Sequence, residues 1–296
     1  MPALALGTVQ LGLNYGIANN EGKTSPDEAG RMLALAEKIG VGMIDTAAMY
    51  GNSETVIGEH CPTGNTFRYV TKTLALHGEK VTSKNLAFVH KGFKSSLLHL
   101  RRQSVYGLLV HHCHDLLAPN GKLLFDLLQE LKASGKVEKI GVSAYNDEEL
   151  QAVIDRHPID IVQIPLSVFD QRMIQSGTLS RLKDREIEIH VRSIFLQGLL
   201  LLGVDELPAY FHSIRDHISR YHKWLDDKDM TRLEGAMLFA QQQSEIDQIV
   251  AGVCDCAQLA GIDKAFTRAA TLPKFDFSPF AMTSEHFLNP SNWPKS

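Results

Sequence analysis

Short apolar runs of β character recur along the chain: LALG (4–7), VGMIDTA (41–47), FRYVTKT (67–73), VYGLLVH (105–111), KIGVSAY (139–145), IDIVQIPL (159–166), EIEIHVRSIF (186–195) and IDQIVAGV (246–253). Stretches of helical spacing separate most of them. In SPDEAGRMLALAEKIG, Ser25 suits a cap, Pro26 the first turn, Asp27 and Glu28 the positive helix end, and Gly40 the stop. GKLLFDLLQELKASGK (121–136), DEELQAVIDRH (147–157) and DQRMIQSGTLSRLKDRE (170–186) share this pattern. Alternating strands and helices at such spacing predict parallel pairing with right-handed crossovers.

Eight such units in 296 residues, with no Gly/Ser/Pro-rich linker between them, predict an α/β fold: a (β/α)8 TIM barrel forming a single domain over 1–296. The alternative, a doubly wound open sheet, is weakened because GTVQLGLNYG after the first strand lacks the G-x-G-x-x-G spacing. The longest irregular stretch, roughly 196–230, follows the seventh strand, so an insertion at about 199–230 is expected on the catalytic face of a barrel.

Composition narrows the classes further. With 44% hydrophobic residues and a formal charge of -4, the chain can bury a large core and gives no reason to invoke nucleic acid or a membrane surface. The opening MPALALGTVQLG has no basic n-region, and no run reaches the roughly 18 apolar residues of a membrane span, so a cytoplasmic protein is expected. Cys61, Cys113, Cys254 and Cys256 are too few and too scattered for a disulfide framework. His190, inside EIEIHVRS, reads as a satisfied core histidine, and Glu54 as a first-turn helix residue.

In a barrel the C-terminal strand ends face the site. The second strand ends in IDTAAMYG, offering Asp45 and Tyr50; the third in VTKT, offering Lys72; the fourth in LLVHHCHD, residues 108–115. Four adjacent zinc-type ligands in that last run invite a metal reading. Strand alternation divides them, however: with Leu109 inward, His111 is the first polar side chain at the mouth. No metal site is expected.

Taken in order, GTVQLG, IDTAAMYGNSE, TKT, LLVHH, IGVSAYN, VQIPLSVFD, RSIFLQGLL and VAGVCDCAQL give the chain a resemblance to the aldo-keto reductase family from about residue 4 to residue 266, leaving the tail 267–296 outside it. The resemblance implies a catalytic tetrad of Asp45, Tyr50, Lys72 and His111. A phenol is a plausible proton donor to the alkoxide formed by hydride addition. Lys72 would stabilise the tyrosinate, Asp45 would hold the lysine charged, and His111 would orient the carbonyl. Singly, each has a bland alternative: a turn tyrosine, a solvated lysine, a capping aspartate.

The resemblance also implies a cofactor site. Gly7 and Thr8 lie near the cofactor at the first strand end, with Asp45 beside them, and Ser143 and Gln163 meet the nicotinamide carboxamide. Ala144 stands where the family usually has Asn, and Arg192 where it often has an aromatic that stacks on the nicotinamide. Ser193, Phe195, Gln197 and Gly198 match the loop along the pyrophosphate, and Gly252, Asp255 and Gln258 the surroundings of the NADP 2′-phosphate. NADP(H) is favoured over NAD(H), although Asp255 has the wrong charge for a phosphate and also suits a helix cap.

The implied activity is NAD(P)(H)-dependent reduction of a small-molecule aldehyde or ketone to an alcohol. The opening GTVQLGLNYGIAN resembles members of the family associated with sugar-related substrates, and strand-end placement suggests a pocket of Tyr15, Met49, His112, Phe169 and the 199–230 loop. Two other classes compete. A cofactor-binding sensor with little turnover would explain Ala144, Arg192 and Gln258; a metal-dependent hydrolase would use His112, Cys113 and His114.

Overall fold

A computed structural model describes residues 1–19, 21–61 and 64–294. Eight strands, each overlapping one of the eight apolar runs, are β1 Ala3–Gly7, β2 Met43–Asp45, β3 Arg68–Lys72, β4 Val105–Val110, β5 Val137–Ser143, β6 Ile161–Pro165, β7 Glu188–Arg192 and β8 Gln248–Gly252. Every strand pairs in parallel with its neighbour in sequence, and β8 returns to β1, which closes the (β/α)8 barrel. Alternation sorts the side chains: Ala5, Met43, Val70, Leu109, Ile161 and Val250 fill the inside, whereas Leu4, Leu6, Ile44 and Leu108 join the larger core between sheet and helices.

The register sets the mouth. Gly7 lies beside Asp45 and Gly252, Lys72 beside Leu109, and Ser143 beside Gln163. Polar residues at the ends of different strands therefore open on one face. At the opposite end, Glu188 accepts hydrogen bonds from Tyr106 and Lys139, both at 2.5 Å, and pairs with His190 at 2.7 Å. His190 is fully buried there, as its core reading expects, but only Nε2 is paired, and Nδ1 has no hydrogen-bond partner among the described residues.

The first long helix, Pro26–Lys38, starts where expected, with the Ser25 side chain accepting from the Glu28 amide. The segment 170–186 instead forms two short helices, Arg172–Gln175 and Thr178–Asp184, because Gly177 turns left-handed at φ +71°. The stretch expected to be irregular also contains a helix. After 3₁₀ turns at Leu196–Leu201, Val204–Glu206 and Ala209–Ile214, Arg215–Asp226 is α-helical and buries Ile218, Tyr221, His222 and Leu225 at helical spacing. The tail packs onto this unit through buried Phe280, Leu288 and Trp293, with the Met282 amide bonded to the Phe169 carbonyl at 2.8 Å. Among the described residues, no helix is long and apolar enough to cross a membrane.

Candidate active site

Asp45 ends β2 and is 3% exposed, a burial that its partners make tolerable. The Lys72 ammonium donates to Asp45 Oδ1 and Oδ2 at 2.8 Å each and to the Thr46 carbonyl at 2.9 Å. Gln163 Nε2 adds a bond to Asp45 Oδ1 at 2.7 Å. The strand end itself is pinned by Thr8, whose amide and hydroxyl both donate to the Asp45 carbonyl, at 3.1 and 2.8 Å.

Tyr50 sits on the turn between β2 and the helix Ser53–His60. The turn is anchored by bonds from the Tyr50 amide to the Ala47 carbonyl and from the Ser53 amide to the Tyr50 carbonyl, each 3.0 Å. Two glycines allow its placement. Gly51 is left-handed at φ +57°, and a Cβ on Gly12 would fall 1.7 Å from the Tyr50 carbonyl oxygen. This close approach across 38 residues of chain has no signature in IDTAAMYG.

Lys72 Nζ lies 5.0 Å from the Tyr50 ring centroid, and the His111 and Tyr50 rings meet edge to face at 6.0 Å. Burial raises the Tyr50 phenol above its ordinary value, while the Lys72 cation pulls it back. Burial works against the charge on Lys72, yet Asp45 and Tyr50 outweigh it and hold the ammonium above its usual range. His111 goes the other way: burial, then the charges of Lys72, His112 and Arg192, depress it to about 3. It is therefore a neutral imidazole at physiological pH.

β4 stops at Val110, and the histidine run fans out. His111 faces the cavity; His112 packs edge to face on it; the Cys113 thiol donates to Glu149; His114 opens a single helical turn. Among the described residues, no three His, Cys, Asp or Glu side chains converge as metal ligands.

Above the barrel lies a cavity of about 530 Å³, a volume suited to a small ligand or part of a larger one. The structure brings Gly7, Thr8, Asp45, Tyr50, His111, Ser143, Gln163, Arg192, Ser193, Phe195, Gln197, Gly198, Gly252 and Gln258 to its wall. Lys72, 1% exposed, lies beneath Asp45 rather than on that wall. Asp255 is also off the wall, its carboxylate capping the helix Cys256–Ala269 through the Gln258 amide at 2.7 Å.

The substrate pocket expected from strand-end placement is corrected in part. Tyr15 lines the cavity, whereas Met49 and His112 do not. Phe169 is fully buried against His217 and Tyr221, and the insertion contributes only Leu201 among the described lining residues. Gln10 and Tyr145 were not anticipated. Tyr145 follows Ala144 and takes the Arg192 guanidinium on its ring at 4.1 Å.

The loop after β7 stores backbone strain. Ser193, Leu196 and Gln197 have φ of +63°, +45° and +53°, conformations costly for L-residues. That strain brings Gln197 against the loop after β1: its carbonyl accepts from the Ile17 amide and its side chain donates to the Tyr15 hydroxyl, both at 3.1 Å.

The comparisons agree with this architecture. A model of the aldo/keto reductase family matches residues 3–278. The Bacillus subtilis aldo-keto reductase YhdN is 25% identical over 192 residues, 62% of this chain and 57% of that protein. An Escherichia coli protein named NADH-specific methylglyoxal reductase is 25% identical over 183 residues, 56% of each. The chain thus spans about half the length of these curated relatives, and less of a Bacillus subtilis protein named uncharacterized oxidoreductase YcsN, matched at 32% identity over 96 residues, 32% of this chain and 31% of that protein. Among solved structures, the holo form of aldo-keto reductase AKR11C1 from Bacillus halodurans superimposes with TM-score 0.72 at 17% identity, covering 95% of this chain and 92% of that one. Glycerol dehydrogenase AKR11B4 from Gluconobacter oxydans gives 0.69 at 20% identity, with 99% and 93% covered. With its closed parallel barrel and a family match over nearly all its length, the chain belongs to the aldo/keto reductase family.

Proposed function

We propose that the protein is a nicotinamide-dependent oxidoreductase that interconverts a small aldehyde or ketone and its alcohol, with Tyr50 as proton donor. The observation that carries this reading is the buried Lys72–Asp45 pair set beside Tyr50 and His111 at the floor of the cavity. The cavity wall fits the cofactor. Gln163 commits Nε2 to Asp45 and leaves Oε1 buried with no partner among the described residues, an acceptor for a carboxamide N–H. Gly7 and Gly252, side by side at the adjoining ends of β1 and β8, leave room for the Val250 and Gln10 side chains on the wall, which a Cβ would meet at 3.2 and 2.7 Å.

A bound nicotinamide supplies the hydride for reduction and accepts it in oxidation. The carbonyl carbon gains the hydride, and its oxygen takes the proton from the Tyr50 hydroxyl. The neutral His111 imidazole offers an N–H to that oxygen and fixes its angle. Lys72 stabilises the tyrosinate left behind, and Asp45 and the Thr46 carbonyl hold the ammonium in place, so proton transfer needs little rearrangement. Arg192 adds positive charge near Tyr50 and His111. The names of the two relatives, methylglyoxal reductase and glycerol dehydrogenase, support a small, oxygen-rich carbonyl or alcohol as substrate.

Tyr50→Phe tests the assignment. Turnover in an aldehyde and ketone screen should fall by about 10²–10⁴-fold, while nucleotide binding, followed by fluorescence, persists. Equal activity in both proteins would remove Tyr50 from the proton-donor role.

A further inference from the structure

The cavity has two chemically different ends. One holds Tyr50, His111 and Gln163; the other lies beyond β8, where Gly252, Cys254 and Gln258 form the wall. Under the nicotinamide reading, on which this inference rests, the reacting ring occupies the first end and the adenosine ribose reaches the second.

That second end is already supplied with acceptors. Around the start of the helix Cys256–Ala269, three backbone amides are taken by the protein's own side chains. Glu28 Oε1 accepts from the Cys256 amide at 2.7 Å, Asp255 Oδ1 from the Gln258 amide at 2.7 Å, and Gln258 Oε1 from the Cys254 amide at 2.9 Å. Two of the three acceptors are carboxylates. Arg31, the cation beside them, is committed to Glu28, with Nε at 2.8 Å from Oε2. Burial, then the charges of Asp255 and Glu21, push the Cys254 thiol up, which marks the same negative surroundings.

A separate observation points to what this end accepts. Gln10, 8% exposed, lines the cavity, and a Cβ placed on Gly252 would meet its amide at 2.7 Å. Its Oε1 has no hydrogen-bond partner among the described residues. A buried acceptor calls for a donor. A ribose diol brings O–H groups, whereas a phosphate dianion brings two charges and only acceptors.

We infer that Glu28, Asp255 and Gln10 make this rim select a dinucleotide with a free ribose 2′-hydroxyl, so that the protein uses NAD(H) in preference to NADP(H). The preference reverses the one implied by sequence resemblance. Its cause is a contact between residues 28 and 256 that sets a second carboxylate beside Asp255 at the start of the helix Cys256–Ala269, directly behind the lining residues Cys254 and Gln258. Like charges set together disfavour binding strongly.

The test is equilibrium titration of the full-length protein with NADH and with NADPH, followed by nucleotide fluorescence at two ionic strengths. NADH should bind at least about tenfold tighter at low salt, with the gap narrowing as salt rises. Glu28→Gln, alone and combined with Asp255→Asn, which keeps a capping oxygen, should tighten NADPH by about tenfold per carboxylate removed. Equal or tighter NADPH binding by the unaltered protein would overturn the selection, and an unchanged NADPH affinity in folded variants would overturn its assignment to these carboxylates. If neither nucleotide binds, the nicotinamide reading itself fails.

Discussion

At the barrel mouth, burial and the charges of Lys72, His112 and Arg192 bring His111 down from 6.5 to about 3. Between those values the unfolded chain binds a proton that the folded chain refuses, so stability falls as pH drops through this window and is unaffected by His111 above it. Denaturant titrations between pH 7 and pH 4 should therefore show a steeper loss in the natural protein than in His111→Gln, by up to about 1.4 kcal/mol per pH unit. Parallel curves would mean that the imidazole titrates normally. The same depression keeps His111 from shaping an activity profile between pH 5 and 9. With Tyr50 as the proposed proton donor, the alkaline limb should follow its phenol, raised by burial and restrained by Lys72.

Secondary elements deliver these side chains, and their precision depends on contacts between elements. Gly12, in the short helix Val9–Gly12, receives the carbonyl of Tyr50 so closely that any Cβ forces the turn to move. Gly12→Ala should lower turnover by about 10²-fold, the usual cost of misplacing a reacting group by an ångström. A loss no larger than the stability change explains would show that the Tyr50 turn tolerates displacement. Much of this level was legible in the chain: the strands came from apolar runs, Asp45 and Tyr50 from the polar end of the second run together with the family resemblance, and His111 from being the first polar side chain after its strand. Lys72 was legible as a residue but not as one buried beneath Asp45. The meetings of Gly12 with Tyr50 and of Glu28 with Cys256 were not legible, because each joins residues that are distant in sequence and ordinary in local pattern. The Arg215–Asp226 helix had a readable signal in its buried positions 218, 221, 222 and 225, obscured by the charged residues around them.

Across the whole molecule, the two ends of the barrel divide the work. The mouth gathers charge and strain around a cavity, while the base is sealed by Glu188 with Tyr106, Lys139 and His190. Burial pushes Glu188 up, but hydrogen bonds from His190, Lys139 and Tyr106 win and hold it at about 2. Its stabilisation is present above its ordinary 4.5 and fades as pH falls toward 2. Glu188→Gln should cost about 1–3 kcal/mol at pH 7 by leaving buried donors poorly satisfied, with KM unchanged; a shifted KM would show that base and mouth are coupled. The seam that closes the barrel has a consequence for how the chain is made. It pairs residues 3–7 with residues 248–252. An emerging chain must hold its first strand without a partner on one side until residues 248–252 have been made, and any product ending short of Gln248 leaves two raw sheet edges able to recruit other chains.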